Sequence, residues 1–341
     1  MAAPSVSIIV PVYNVQPYVE DCIRSVMRQT YDGRMECIVV DDCGTDDSIA
    51  IVEKVVADYD GPITFKILHH THNRGLSAAR NTGIDASTGD YLFFLDSDDE
   101  ITNDCIKKLS AVLEKDGEIE IVQGNTRQLP MITPDPLTRN VLIPHASSNR
   151  EVRYCFYCSN QLPVTAWNKL LKRSFIINNH LLFKEGMVFE DLLWLFYILK
   201  YATSISFISD ITYLYKIRTD SITSKIDTKS SAKYDKIFYS LILNDLTLGK
   251  EKEELTFFTK RFSKRYLNDE TPEYEDIFNI FWEKIKCYGF ISCFIVIITA
   301  FLSKRSKICK LFFSSIRRII SPSLIMRDWG RVKTKINHRC L

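Results

Sequence analysis

Glycine is scarce, 12 residues in 341. None of it forms G-x-G-x-x-G after the first apolar run, and G-x-x-x-x-G-K-[ST] occurs nowhere. The dinucleotide fingerprint and the P-loop are therefore excluded, and any bound phosphate must be neutralised by a cation or basic side chains. Excess charge of one sign is also missing: 44 Lys and Arg against 42 Asp and Glu leave +2, too little to imply a nucleic-acid partner. Zinc signatures are absent. The histidines His69, His70 and His72 share a polar loop with no H-E-x-x-H, and Cys155 and Cys158 form a C-x-x-C with no second pair at zinc spacing. The ten cysteines are scattered, many inside apolar runs, which suits a reducing cytoplasm and buried thiols. No basic segment followed by an apolar core opens the chain, so no signal peptide is expected. What remains, 46% hydrophobic and 25% charged residues, describes an ordinary globular protein of one large or two smaller domains.

One stretch organises the rest. Tyr91 to Glu100, YLFFLDSDDE, is a buried-strand pattern that ends in Asp96, Asp98 and Asp99. Ligands of open α/β sheets bind beyond the carboxyl ends of the strands, and closely set hard oxygens suit Mg²⁺ or Mn²⁺. The acidic cluster is thus either a metal-assisted phosphate site or a turn capping the next helix.

Strand and helix alternate before it. Ser5 to Val10, Met35 to Val40, Thr64 to Leu68 and Tyr91 to Leu95 read as strands. Apolar residues at helical spacing follow Pro17, Asp46 and Gly75, and Asp46 is a candidate N-cap. Such alternation makes a mostly parallel sheet covered on both faces, with the strand ends at one edge. Those ends carry Tyr13 and Asn14, Asp41 and Asp42, and the acidic cluster. Arg74 and Arg80, around the start of the helix before the acidic strand, are candidate phosphate partners or plain surface charges.

Four motifs in order carry a resemblance. P-V-Y-N (Pro11 to Asn14), V-V-D-D-C-G-T-D-D-S (Val39 to Ser48), N-R-G-L-S-A-A-R-N-T-G (Asn73 to Gly83) and Y-L-F-F-L-D-S-D-D (Tyr91 to Asp99) resemble glycosyltransferase family 2. The resemblance covers at least residues 5–220. It implies an inverting enzyme of α/β class with the GT-A, Rossmann-like fold, a mixed and mostly parallel sheet flanked by helices, using a nucleotide-sugar donor. It further implies that Pro11, Tyr13 and Asn14 border the nucleotide pocket and that Asp42 contacts the base. Asp96 would reach the ribose or the metal, and Asp98 would ligate a divalent cation, Mn²⁺ or Mg²⁺, bridging the diphosphate. Cys43 and Gly44 depart from the family's usual Gly-Ser, which bears on loop geometry more than on nucleotide binding.

The middle of the chain supplies the acceptor side. Leu129 to Asn149 lacks periodicity and is expected to be a long variable loop. Val164 to Phe175, VTAWNKLLKRSF, resembles the family's acceptor-side segment. There Trp167 stacks on a sugar or fills the core, Asn168 hydrogen-bonds a hydroxyl, and Lys169 touches phosphate. Glu185 to Trp194, EGMVFEDLLW, places an acidic pair before a helical run, and the bland reading is capping. Inverting transfer needs one base on the acceptor side. The segment resembles the family's E-D motif, whose Asp is that base, and the match falls on Asp191 with Glu190 in support. Tyr213 to Ile222 resembles the family's closing segment, in which Arg218 either holds the diphosphate or pairs with a carboxylate.

Residues 1–222 are therefore expected to form the catalytic domain, 1–100 for the donor and 101–222 for the acceptor, with a helical extension over 223–341. Cys287 to Ser303 carries no charge, and its 17 residues are at the short end of a membrane span, so spanning, surface and buried readings stay open. The basic, apolar stretch after it suits an anionic bilayer surface. The expected activity is sugar transfer from a nucleotide sugar, a UDP-sugar, to a glycan or polyprenyl-linked acceptor in surface polysaccharide synthesis at the inner face of the membrane. A non-catalytic nucleotide-sugar-binding or scaffold protein of the same fold is the alternative. A nicotinamide oxidoreductase shares the alternation but lacks its fingerprint.

Overall fold

The computed structural model describes residues 3–114, 117–157 and 159–218. All of them fall within the first of the chain's two units, Met1–Tyr234. The expected helices over 223–275, the apolar segment 287–303 and the basic tail lie outside the described residues.

The first half is built as the alternation requires. β1 (Val6–Val12), β2 (Met35–Asp41), β3 (Thr64–His69) and β4 (Tyr91–Phe94) are joined by α1 (Val19–Met27), α2 (Ser48–Ala57) and α3 (Leu76–Ala86). They lie side by side in the order β3-β2-β1-β4, all parallel. β1 is central and wholly buried, hence its unbroken apolar run. Pro11 is tolerated there for a reason of register. The Val6 N–H points to the β2 side, toward the Arg34 carbonyl, so alternation turns position 11 toward β4. Pairing with β4 stops at Ile9, and the missing N–H costs no ladder bond. Asp46 bonds the Ser48 N–H at 3.1 Å and its hydroxyl at 2.5 Å, one residue outside the helix's own flanking residue Asp47.

Beyond β4 the sheet changes character. β5 (Glu100–Ile101) and α4 (Cys105–Ser110) precede β6 (Ile121–Leu129), β7 (His145–Ala146), α5 (Asn149–Tyr157), β8 (Lys169–Lys172), α6 (Arg173–Asn178), α7 (Glu190–Tyr201) and β9 (Ile205–Lys216). The order continues β4-β8-β6-β9-β5, with β7 also on β9. β8 is antiparallel to both β4 and β6, while β6 and β9 are parallel, so the nine-stranded sheet is mixed. The stretch from Leu129 to Asn149 is less free than its composition suggests. It contributes β7, and Asp135, Thr138 and Arg139 bond back to the backbone or side chains of β6. Among the described residues no helix is long and apolar enough to cross a membrane.

The end of the sheet remote from the site is tied by Glu36. Its carboxylate accepts from the Ser7 hydroxyl at 2.6 Å, the Thr88 N–H at 2.6 Å and the Lys66 ammonium at 2.7 Å, joining β1, β2, β3 and the turn before β4. Burial would raise its pKa, but the bonds from Lys66, Ser7 and Thr88 prevail and hold it down at about 2. A depressed carboxylate stabilises above its unfolded pKa and loses that contribution as pH falls through the folded value. Glu36→Gln is therefore expected to cost about 2 kcal/mol at pH 7. In urea titrations the gap to the parent should shrink between pH 5 and pH 2, and a gap independent of pH would contradict this account.

Candidate active site

One edge of the sheet is assembled from the ends of β1, β2 and β3. Tyr13 is exposed just past β1. Asn14 adopts φ 51°, a left-handed conformation that asparagine tolerates, and its Oδ1 accepts the Thr45 N–H at 2.7 Å. Asp42 is buried and organises the loop into α3, accepting the N–H groups of Arg74 and Gly75, each at 2.8 Å, and His70 Nδ1 at 2.7 Å. His70 continues to Thr82 Oγ1 at 2.9 Å. Asp41 is the more open member of the pair, bonded to the Cys43 N–H and His69. Arg74 is exposed and pairs with Glu185 at 3.3 Å, a contact worth little in water.

The acidic loop after β4 divides its carboxylates. Asp99 points inward, taking the Tyr213 hydroxyl and the Lys216 N–H, each at 2.8 Å, and burial together with Asp98 and Asp96 raises its pKa well above the ordinary range. The Asp96 N–H donates to the same Tyr213 oxygen at 3.2 Å, so β9 fixes the loop from beneath. Asp98, 20% exposed, forms an ion pair with Arg218 Nε at 2.7 Å. Asp96 turns toward Arg80.

Arg80 is where the two halves meet. It sits in α3, only 1% exposed. Its Nη2 bonds Asp96 at 2.9 Å, and its Nη1 bonds Glu190 at 2.7 Å and Asp191 at 2.8 Å. The Phe183 ring lies 5.2 Å from the guanidinium and stacks on Trp194, closing the apolar side. Burial would lower the Arg80 pKa, but Asp191, Asp96 and Glu190 raise it. One cation among three carboxylates leaves a surplus of negative charge. Burial pushes Asp96 up to about 6 against the pull of Arg80, and burial with repulsion from Asp191 pushes Glu190 up to about 7. Both shifts run toward the protonated form, the direction that relieves the surplus.

Both acidic residues of α7 reach across to α3. The helix is entered through Phe189 at φ 62°, an uncommon conformation for a bulky residue, which turns the first helical turn toward Arg80. Asp191 is 22% exposed, so one side of its carboxylate is open while Oδ1 is held by Arg80. Its Oδ2 accepts the Ala166 N–H at 3.3 Å.

The segment Trp167, Asn168, Lys169 lies behind Asp191. Trp167 is buried and stacks on Tyr213 with ring centroids 4.4 Å apart and 12° between planes, so the face expected for a sugar meets a tyrosine. Asn168 is wholly buried at φ 61°. Its Nδ2 donates to the Asn125 carbonyl and Thr126 Oγ1, and its Oδ1 accepts the Thr212 hydroxyl at 2.6 Å. Lys169 is wholly buried, its ammonium on the Thr165 carbonyl rather than on a phosphate site. These three residues therefore belong to the interior of the protein rather than to an open surface.

Residues 7–176 match the family model described as Glycosyl transferase family 2. The chain belongs to glycosyltransferase family 2. An uncharacterised glycosyltransferase, EpsJ of Bacillus subtilis, is 32% identical over 231 residues, 64% of this chain and 63% of that relative. The match thus spans somewhat less than two thirds of the relative's length. The S. aureus TarS structure (residues 1–349) in complex with UDP-GlcNAc superimposes with TM-score 0.66 at 19% identity, covering 92% of each chain. A mannosyltransferase from Pyrobaculum calidifontis, in complex with GDP-Man and Mn²⁺, gives TM-score 0.50 at 15% identity over 98% of this chain and 86% of that one. The fold is GT-A.

Within this glycosyltransferase fold the sequence-predicted residues other than Trp167, Asn168 and Lys169 fall into two groups. Asp96, Asp191, Glu190 and Arg80 form one hydrogen-bonded cluster, and Asp98 joins Arg218 beside it. Pro11, Tyr13, Asn14, Asp42 and Arg74 mark the separate edge formed by β1 and β2. Arg80, expected among phosphate-binding cations, has both terminal nitrogens committed to carboxylates. Two contributors escaped notice: His70, expected to be merely a polar loop residue, and Tyr213, which anchors the acidic loop. The signal for His70 was its place directly after a strand, where one residue of a polar run must point inward. Removing the cation should expose how much repulsion it offsets. Arg80→Met is expected to lower stability by about 3–5 kcal/mol at pH 8. The deficit should be smaller at pH 5, where Asp96 and Glu190 take up protons, and denaturation at the two pH values measures it.

Proposed function

We propose that this chain is an inverting glycosyltransferase. It transfers a sugar from a nucleotide sugar, a UDP-sugar, to a glycan or polyprenyl-linked acceptor in the assembly of a cell-surface polysaccharide, at the cytoplasmic face of the membrane. The observation that carries the reading is Asp191: a partly open carboxylate on the acceptor-side helix, held through one guanidinium to Asp96 of the acidic loop. UDP-GlcNAc in the TarS complex supports the donor class, and the name of the Bacillus relative supports the reaction class. The uncharged stretch 287–303 with its basic flank supports a membrane-borne acceptor.

In this reading the acceptor hydroxyl donates its proton to Asp191 as its oxygen attacks the anomeric carbon from the face opposite the nucleotide. The new C–O bond forms as the bond to the diphosphate oxygen breaks, and the electron pair leaves with the nucleoside diphosphate. Arg80 keeps Asp191 aimed, and Glu190 shares the same guanidinium. Tyr13, Asn14 and Asp42, with Pro11 beneath them, shape the nucleotide pocket, and Arg74 and Arg218 supply positive charge toward the diphosphate.

The residues present suit a divalent cation. Asp98 and Asp96 offer hard oxygens on one loop, and Asp98 already draws a positive group, Arg218, to 2.7 Å. Among the described residues no set of three or more metal-binding side chains is gathered, and Mg²⁺ or Mn²⁺ needs only one or two carboxylates when substrate phosphates and water complete the shell. A bound Mn²⁺ or Mg²⁺ would stabilise the charge that develops on the departing diphosphate. The Mn²⁺ in the Pyrobaculum complex supports this assignment.

The test is turnover of UDP-, GDP- and dTDP-sugars with Mn²⁺ against lipid-linked and free glycan acceptors. Asp191→Asn is expected to lower kcat by about 10³-fold with donor affinity kept. Asp98→Asn should instead weaken the dependence on Mn²⁺ and donor affinity together. Full activity in either variant would remove that residue's role, and nucleotide binding without transfer to any acceptor would favour the non-catalytic alternative.

A further inference from the structure

Lys169 opens β8, opposite Gln123 of β6, with none of its surface exposed. A buried ammonium is costly unless it is compensated. Among the described residues no carboxylate forms an ion pair with it, and its Nζ donates to the carbonyl oxygen of Thr165. That carbonyl belongs to the peptide bond whose N–H, on Ala166, donates to Asp191 Oδ2 at 3.3 Å. One peptide plane therefore lies between a positive group at its oxygen and a negative group at its N–H. This orientation is favourable for the peptide dipole. An ammonium drawing density toward the oxygen also makes the N–H a stronger donor, because hydrogen bonds in series polarise one another.

The surroundings leave this path distinct from the other support of the carboxylate. Asp191 Oδ1 is held by Arg80, and Glu190 and Asp96 meet the same guanidinium. Oδ2 receives the Ala166 N–H, from the opposite element. Burial draws the Lys169 pKa down to about 7; Asp191 opposes that fall and Arg139 adds to it.

We propose that Lys169 is a positioning residue for the base Asp191, acting through the Thr165–Ala166 peptide to hold Oδ2 in place for the acceptor hydroxyl. The inference rests on the reading of Asp191 as the base. It adds a residue that touches no substrate and whose effect is on kcat.

The experiment compares the full-length enzyme with Lys169→Gln, which keeps a donor near the Thr165 oxygen without the charge, and Lys169→Met, which removes both. Initial rates are taken from pH 5 to 9 with Mn²⁺ and the UDP-sugar that is turned over. The expected result is a fall in kcat of about tenfold for Lys169→Gln and about a hundredfold for Lys169→Met, with donor and acceptor KM within about twofold. An equal loss of kcat in the two variants, or KM rising in step with the fall in kcat, would mean a merely structural role and overturn the proposal. If Lys169→Met does not fold, Lys169→Gln decides it by the same readout. Asp191→Asn measured alongside separates the two readings. Activity retained there overturns the base assignment, whereas an inactive Asp191→Asn with parental kcat in the Lys169 variants overturns the relay alone.

Discussion

One guanidinium between three carboxylates is the constraint on which the site depends. Arg80 belongs to α3, Asp96 to the loop after β4, and Glu190 and Asp191 to α7. These elements come from the parallel and the mixed halves of the sheet. A buried ion cluster of this kind is weak evidence for stability, since well-packed apolar side chains of similar volume are often as stable or more so. What the cluster supplies is geometry. The fork of an arginine fixes two directions at once, so the loop after β4 and helix α7 are set against a single rigid plane.

The three acidic doublets around the site obey a common division. In Asp41–Asp42, Asp98–Asp99 and Glu190–Asp191, one member is buried and bonded inward while the other stays partly open. Asp42 accepts two backbone N–H groups and a histidine, Asp99 a backbone N–H and a tyrosine hydroxyl, and Glu190 the arginine. Neighbouring residues at the end of a strand or the start of a helix point in different directions, so a doublet naturally supplies one structural and one available carboxylate. The buried member holds the loop and the open member meets the solvent. On this pattern Asp98 and Asp191 occupy the available positions. Asp42 occupies a structural one, and Asp41 beside it is the more open.

The parallel half was legible because its signals are local. Apolar runs of five to seven residues alternate with helical spacing, and β1 to β4 follow that pattern closely. The antiparallel half was not legible in the same way. β8 is only Lys169–Lys172, with a lysine at each end, and it inserts between β4 and β6, which lie far from it in the chain. Nothing local marks that insertion. The composition of Leu129 to Asn149 suggested a free loop, yet β7 and the bonds from Asp135 to Arg139 tie it to the sheet. The carboxylates of the site were legible by motif, and the pairing of Arg218 with one of them was among the readings, but Arg80 as the common partner of three was not. Arg80 sits at a helix position where exposure is the ordinary expectation for arginine, and Asp96, the Phe183 ring and the start of α7 together enclose it.

The same reasoning explains why the acceptor-side segment carries such unusual residues at such buried places. Trp167, Asn168 and Lys169 are an aromatic, an amide and a cation inside the protein, each saturated by a partner from β6 or β9 or by the segment's own backbone. An apolar strand would cost less to bury there but would leave the Thr165–Ala166 peptide without a fixed orientation. That peptide is one of two supports of the Asp191 carboxylate, and the other is Arg80. Two supports on different oxygens, one from each half of the sheet, fix the plane of a carboxylate where one would leave it free to rotate. The polar interior is therefore the cost of holding this carboxylate still while leaving one side of it open.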